Sequence, residues 1–188
     1  MNLKIATVFL MTAAFAHAGD DANWPSFRGW RASGVAEGIK TAEKWDAPKG
    51  ENVKWKTPIP GLGHSGAVVW EDRLFLTTAV KEGEPELKVG LYGDIEPVNE
   101  QVAHSWQTFC LDKRNGKVLW KQTAREGIPR VKRHPKSSHA NSTPATDGRH
   151  VVSFFGSEGL YCHTVEGKLL WNKDLGTLDS GYFRVPTA

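Results

Sequence analysis

The sequence predicts an all-β fold built from repeats of four short strands, and three observations support this. First, Asn141–Lys173 reads as four strands joined by tight turns and ends in Gly-Lys-Leu-Leu-Trp. Second, His64–Lys121 carries the same pattern, and Asn52–Lys56 has the shape of the closing tail alone. Third, aligning the two copies superposes Cys110 on Cys162, Gly116 on Gly167 and Trp120 on Trp171. A repeat of this kind fixes the architecture, and each copy is about as long as one propeller blade.

Composition and charge are those of a globular protein. The chain has 188 residues, of which 39% are hydrophobic and 10% aromatic, and this excludes a disordered class. The net charge of +3 is too small and too interspersed to predict a nucleic-acid partner. A basic run between the copies is compatible with an anion-binding patch or a solvated loop, and its lack of stacking aromatics favours the loop. Its members are Arg125, Arg130, Lys132, Arg133, His134 and Lys136.

The N-terminus is predicted to be a cleaved signal peptide, residues 1–18. Lys4 supplies the positive region, Ile5–Phe15 is an apolar run too short for a membrane span, and Ala16-His17-Ala18 is a small-residue cleavage site. No cysteine lies near the cleavage site, so a lipid cannot be attached through an N-terminal cysteine. We therefore expect a periplasmic or extracellular protein with no membrane insertion after cleavage.

Residues 19–51 are predicted to form an irregular segment that docks onto the repeats. Pro25 and Gly29 interrupt any helical period. Three exposed tryptophans would form an unusual apolar patch, so burial is expected for Trp24, Trp30 and Trp45.

The repeats are predicted to occupy residues 52–188, with complete copies at about 62–123 and 139–174. Val53–Thr57 reads as a strand that stops at the following prolines. Gly66–Val69 and Arg73–Thr78 read as the next two strands. Ala79–Gln101 is an insertion, which the second copy replaces with Gly156–Gly159. An insertion present in one repeat only maps to a loop on one face.

The last hairpin of the first copy has the clearest turn signal. His104–Leu111 and Lys117–Thr123 are its predicted strands, and Asn115-Gly116 is a dipeptide typical of tight turns. The second copy uses Val165–Gly167 for the same turn and is one residue shorter.

The two cysteines, Cys110 and Cys162, are predicted to remain free, buried thiols. An exported protein could pair them, but equivalent positions of neighbouring blades usually lie further apart than a disulfide allows. Two cysteines alone also make a poor metal site.

The tails resemble the pyrrolo-quinoline-quinone-like (PQQ-like) β-propeller repeat of secreted bacterial proteins. The motif is Leu-Asp-x-x-x-Gly-Lys-x-Leu-Trp, which Leu111–Trp120 matches almost completely, while Glu166–Trp171 keeps the second half. The resemblance spans roughly residues 22–175. It implies propeller blades of four antiparallel strands, with tryptophans wedged between blades and glycines in the turns. These structural positions are Trp55, Trp120, Trp171, Gly116 and Gly167.

The blade count indicates an incomplete propeller. Propellers close with about four to eight blades, whereas the sequence holds two complete blades and part of a third. The expected partners are therefore the remaining blades of a longer chain or a protein partner. A ring assembled from several chains is the alternative.

Two functions compete. The first is an exported, non-catalytic propeller that acts as a binding or scaffolding module, with no cofactor and no catalytic, cofactor-binding or metal residue. The second is a fragment of a quinoprotein alcohol or sugar dehydrogenase, for which the resemblance implies PQQ and Ca²⁺ at the propeller centre. Adjacent cysteines, frequent in those enzymes, are missing, and Asp94 and Glu96 are the nearest candidate Ca²⁺ ligands. The first function is therefore favoured.

Three histidines are the candidates for a ligand-binding face. His64, His134 and His139 lie in loops that enter or precede first strands, and these loops would meet near the propeller axis. The alternative for each is an ordinary loop histidine with its hydrogen bonds satisfied.

Overall fold

The computed structural model describes residues 23–83 and 97–178. The predicted signal peptide and the insertion residues Asp94 and Glu96 lie outside these ranges. Within them the chain folds into two antiparallel four-stranded sheets and contains no α-helix. The all-β prediction is therefore confirmed. No helix in the described part is long and apolar enough to cross a bilayer.

The first sheet contains four strands in chain order. They are β1 (Val68–Trp70), β2 (Arg73–Lys81), β3 (His104–Asp112) and β4 (Val118–Gly127). β2 and β4 continue beyond the predicted ends, because Ala79–Lys81 still pairs with the first residues of β3, and β4 pairs with them up to Gly127. The predicted insertion therefore begins after Lys81 rather than at Ala79.

The second sheet repeats this arrangement with shorter strands. They are β5 (Ala145–Thr146), β6 (His150–Phe154), β7 (Leu160–Thr164) and β8 (Leu169–Lys173). Both sheets also carry a register shift at the same place, after Cys110 in β3 and after Cys162 in β7. The shared irregularity shows that the two sequence copies are equivalent in backbone structure.

Apolar side chains between the sheets form the core. Val68, Phe75, Cys110 and Val151 make one cluster, and Trp70, Trp120 and Val165 pack against it. Ala79, Trp106, Ala140 and Phe155 make a second cluster. Thr108 and Ser153 join the sheets through a hydrogen bond of 2.8 Å between their hydroxyls. The first sheet is covered on both faces, since every residue of β3 except Ser105 is buried, whereas every residue of β8 is exposed.

The N-terminal segment joins the two sheets at their first strands. Trp24 exchanges both backbone hydrogen bonds with Val69, and the carbonyl of Pro25 accepts from the Thr146 amide at 2.8 Å. The expected burial of its aromatic residues is only partly correct, because Trp30 is 36% exposed and Trp45 is 70% exposed. Those two side chains lie beyond the stretch that pairs with β1.

Both cysteines are free and buried, as predicted. Burial raises the pKa of the Cys110 thiol to about 11. The thiolate is the reactive form of cysteine, so the native Cys110 side chain is protonated and inert at neutral pH.

Two tryptophans dock onto the turn of the following copy. The Trp55 indole donates to the Lys113 carbonyl at 2.9 Å and lies against Gly116. The Trp120 indole donates to the Val165 carbonyl at 2.9 Å and lies against Gly167. The tail of one copy is thereby attached to the glycine turn of the copy that follows it. Trp171, the third tryptophan of the series, is 46% exposed.

Candidate functional site

A group of buried and partly buried charged or ionisable side chains lies where the chain enters β3. Glu100 precedes that strand, His104 begins it, and Lys81 ends the neighbouring β2. Arg133 and His139 come from the connection between the sheets, which is anchored by paired backbone hydrogen bonds between Val98 and Arg133. We call these five residues the Glu100 cluster.

Ion pairs hold the Glu100 carboxylate in place. Lys81 Nζ lies 2.7 Å from Oε1, and Arg133 Nε lies 2.8 Å from Oε2. Burial alone would raise the pKa of Glu100, but the hydrogen bonds and charges of Arg133 and Lys81 outweigh it and hold the pKa at about 2. The carboxylate is therefore ionised throughout the physiological range.

Two imidazoles approach the same oxygen. His139 Nε2 lies 3.1 Å from Glu100 Oε2, and His104 Nε2 lies 3.6 Å from it. The two rings meet edge to face with centroids 5.0 Å apart. Burial lowers the pKa of His139 to about 4, and the positive charge of Arg133 acts in the same direction. His139 is therefore neutral at pH 7 and able to offer a lone pair or a single N–H.

The three predicted histidines occupy different environments. His139 belongs to the Glu100 cluster and is 4% exposed. His64 is exposed, although its backbone amide donates to the Ala140 carbonyl at 2.9 Å. His134 Nδ1 accepts from the Lys136 amide at 3.1 Å, within a turn. The histidine that shares a site with His139 is His104, which sequence reasoning missed.

The arginines of the basic run form ion pairs, and Arg130 also pairs with the exposed Asp174 at 2.7 Å. Arg133 pairs with Glu100, while Arg125 Nε lies 2.7 Å from Oε2 of the buried Glu158. The Arg130 amide donates to Glu158 Oε1 at 2.7 Å. Arg133 of the connection and Arg125 of β4 therefore pair with two glutamates whose side chains are largely buried, one beside each sheet.

A second candidate region is an apolar groove on the outer face of the second sheet. Its volume is about 700 Å³. Side chains from the N-terminal segment, the β1–β2 corner and the second sheet line it, among them Pro25, Trp30, Trp70, Val152, Cys162 and Trp171. Its lining is mostly apolar, and Trp171 within it is 46% exposed.

Comparison with known proteins adds no relative. No protein-family model matches the chain, and no match was found among curated proteins.

Proposed function

We propose that the two sheets are neighbouring blades of a PQQ-like β-propeller and that the chain is an exported, non-catalytic binding or scaffolding module. The observation that carries this proposal is the repeated contact between a tail tryptophan and the glycine turn of the next copy. Trp55 makes it with Gly116, and Trp120 makes it with Gly167. In radially stacked repeats each unit packs on its neighbours, so a docking contact that recurs from copy to copy is expected.

The apolar groove supports a further blade as the binding partner. Trp171 is the equivalent of Trp120, and it lines the groove. The turns of both described copies already hold Trp55 and Trp120. The acceptor that fits Trp171 is therefore a glycine turn of the same kind outside the described residues, on a further blade of the propeller.

Non-catalytic use is supported by the surroundings of the buried carboxylates. Glu100, Glu158 and Asp112 each contact an arginine side chain at 2.7–2.8 Å. This pairing holds the pKa of Glu100 and of Asp112 at about 2, whereas a general base needs a pKa close to the working pH. The described residues bring together one group of three convergent ligand side chains, and two of these are imidazoles. Ca²⁺ prefers oxygen ligands, so this group does not fit the ion of a quinoprotein.

Calorimetry of the full chain tests the choice between the two functions. Titration with PQQ in the presence of Ca²⁺ is expected to give no binding heat, and the same titration with chelator is the control. Micromolar binding that disappears with chelator would overturn the proposal in favour of the quinoprotein dehydrogenase.

A further inference from the structure

Three side chains of the Glu100 cluster converge on one point. Glu100, His104 and His139 each offer one ligand atom, and these atoms all lie within 4.8 Å of one another. In tetrahedral zinc sites with bonds of about 2.0–2.1 Å, ligand atoms are separated by about 3.3 Å. The two distances to Glu100 Oε2, 3.1 and 3.6 Å, bracket this value.

The hydrogen bond that His104 makes through Nδ1 favours metal binding at Nε2, its other ring nitrogen. Nδ1 of His104 lies 2.9 Å from the Val102 carbonyl, which can only accept, so Nδ1 carries the proton. In the neutral ring, Nε2 then presents a lone pair towards an ionised carboxylate oxygen. At 3.6 Å from Oε2, this Nε2 can share a bound cation with the carboxylate. Metal-bound histidines very often make this same backbone contact through the other ring nitrogen.

The carboxylate has one acceptor direction left for such a cation. A carboxylate accepts along about four lone-pair directions. Lys81 Nζ and Arg133 Nη2 approach Oε1 at 2.7 and 3.4 Å, and Arg133 Nε approaches Oε2 at 2.8 Å. The remaining direction, on Oε2, points towards His139 Nε2 at 3.1 Å and towards His104, and either an imidazole N–H or a shared cation can occupy it.

The space between these groups fits an ion and little else. A cavity of about 10 Å³ is lined by Leu62, Ala79 and the five residues of the Glu100 cluster. This is about the volume of one water-sized sphere. An organic substrate is therefore excluded, whereas a single ion held by the three side chains is compatible with the cavity.

We propose that His104, His139 and Glu100 bind one divalent transition-metal ion, with Zn²⁺ as the best fit. Two imidazoles and one carboxylate suit Zn²⁺ or Co²⁺, while Ca²⁺ and Mg²⁺ prefer all-oxygen sites. The ion links the segment that enters β3 to the connection between the sheets. Its role is structural, because the cavity has no room for a substrate.

The positive charges of Lys81 and Arg133 should weaken metal binding at this site. Lys81 and Arg133 contact the ligand carboxylate, so their charges oppose that of a bound metal ion. Replacing Lys81 with methionine removes one positive charge and keeps an unbranched side chain. We expect Lys81→Met to bind Zn²⁺ about tenfold more tightly than the wild type. A purely structural salt-bridge network would give no such gain.

Metal analysis of the full chain tests the site directly. The purified protein is stripped with chelator, exposed to Zn²⁺ alone and dialysed, and its metal content is measured. Co²⁺ alone is used in parallel, because its visible absorption reports tetrahedral nitrogen and oxygen ligation. We expect one equivalent of Zn²⁺, a Co²⁺ spectrum and a higher melting temperature with either ion. His139→Ala should lower the affinity by at least about a hundredfold, and His150→Ala, which removes an exposed histidine, should not change it.

Two results would overturn the metal site. One is a wild-type chain that retains no stoichiometric Zn²⁺ after dialysis. The other is a folded His139→Ala variant that binds as tightly as the wild type, which would place the metal elsewhere. If His139→Ala does not fold, Glu100→Gln takes its place, because it keeps the shape of the side chain and removes the charged ligand. Unchanged Zn²⁺ affinity in Glu100→Gln would count equally against the site.

Discussion

Two glycines, Gly116 and Gly167, allow the contacts between copies because each turns the chain beneath an indole ring. Gly116 has a φ of 75° and Gly167 a φ of 92°, a region in which other residues are strained. A Cβ added at Gly167 would lie 2.8 Å from the Trp120 ring, and one added at Gly116 would collide with Trp55. Glycine is therefore required at each position for two reasons: the backbone has a positive φ, and the indole ring leaves no space for a Cβ.

Alanine substitutions separate these two requirements. Gly50 has a φ of 77°, nearly that of Gly116, but a Cβ there meets no neighbouring atom within 4 Å. Gly50→Ala should cost only the left-handed strain, about 1–2 kcal/mol in the free energy of unfolding. Gly116→Ala should cost about 1–3 kcal/mol more, because the Trp55 ring and the Thr57 hydroxyl must both move. Urea unfolding followed by circular dichroism measures both values. Equal losses in the two variants would mean that the contact with Trp55 contributes nothing to stability.

The turn between β3 and β4 is stabilised differently in the two copies. Asp112 accepts the backbone amide of Arg114 at 2.8 Å and its side chain at 2.7 and 3.0 Å. These hydrogen bonds to Arg114 lower the pKa of Asp112 to about 2. In the second copy Thr164 takes this place, and its hydroxyl accepts from the Glu166 and Lys168 amides at 3.3 Å. One turn is therefore held by a charge and the other by a neutral hydroxyl.

This difference predicts how stability depends on pH. The folded pKa of Asp112 lies below the unfolded value of about 3.9, so its stabilising contribution is complete above about pH 4. It is lost as the pH falls towards 2, where the folded carboxylate becomes protonated. Asp112→Thr, which copies the second turn, should flatten the loss of stability between pH 4 and 2. Unfolding midpoints in urea at pH 7, 4 and 3 test this, and parallel pH profiles for both proteins would contradict it.

The sequence predicted the elements better than the site. Strand identity, the tight turns and the equivalence of Cys110 with Cys162 follow from local patterns that repeat along the chain. The end of β2 was predicted too early, because the polar residues after Lys81 concealed the pairing of Ala79–Lys81 with β3. The Glu100 cluster had no such local signal. Its members come from β2, the entry to β3 and the connection between sheets, and only the folded chain brings them together.

At the scale of the whole molecule, the two sheets differ in how completely they are covered. The first sheet lies between the second sheet and residues 53–62, whose contacts include Trp55 with Lys113 and Thr78 with Pro60. The second sheet is covered by the first on one face only. Its outer strand carries the exposed side chains of Leu169, Leu170 and Trp171. An apolar outer strand next to an open groove is consistent with a propeller that continues beyond it.

A duplicated blade tests this continuation. Inserting a second copy of Thr123–Lys173 after Lys173 would place a new glycine turn where Trp171 can reach it, as Trp120 reaches Gly167. We expect the extended chain to gain about 2 kcal/mol or more in the free energy of unfolding, because a half-exposed indole and its groove become buried. Tryptophan fluorescence should shift to shorter wavelength at the same time.

Two matched variants show whether Trp171 is responsible. Trp171→Ser in the extended chain should abolish the gain in stability and the fluorescence shift, because it removes the side chain that docks. Replacing the second copy of Gly167 with valine should have the same effect, because it blocks the turn onto which Trp171 docks. A Cβ at Gly167 itself would lie 2.8 Å from the Trp120 ring. If the extended chain gained stability in both variants, the added sheet would be packing by another surface. If it gained none even with both residues intact, the outer face of the second sheet would not be a blade-to-blade interface, and the propeller proposal would fail with it.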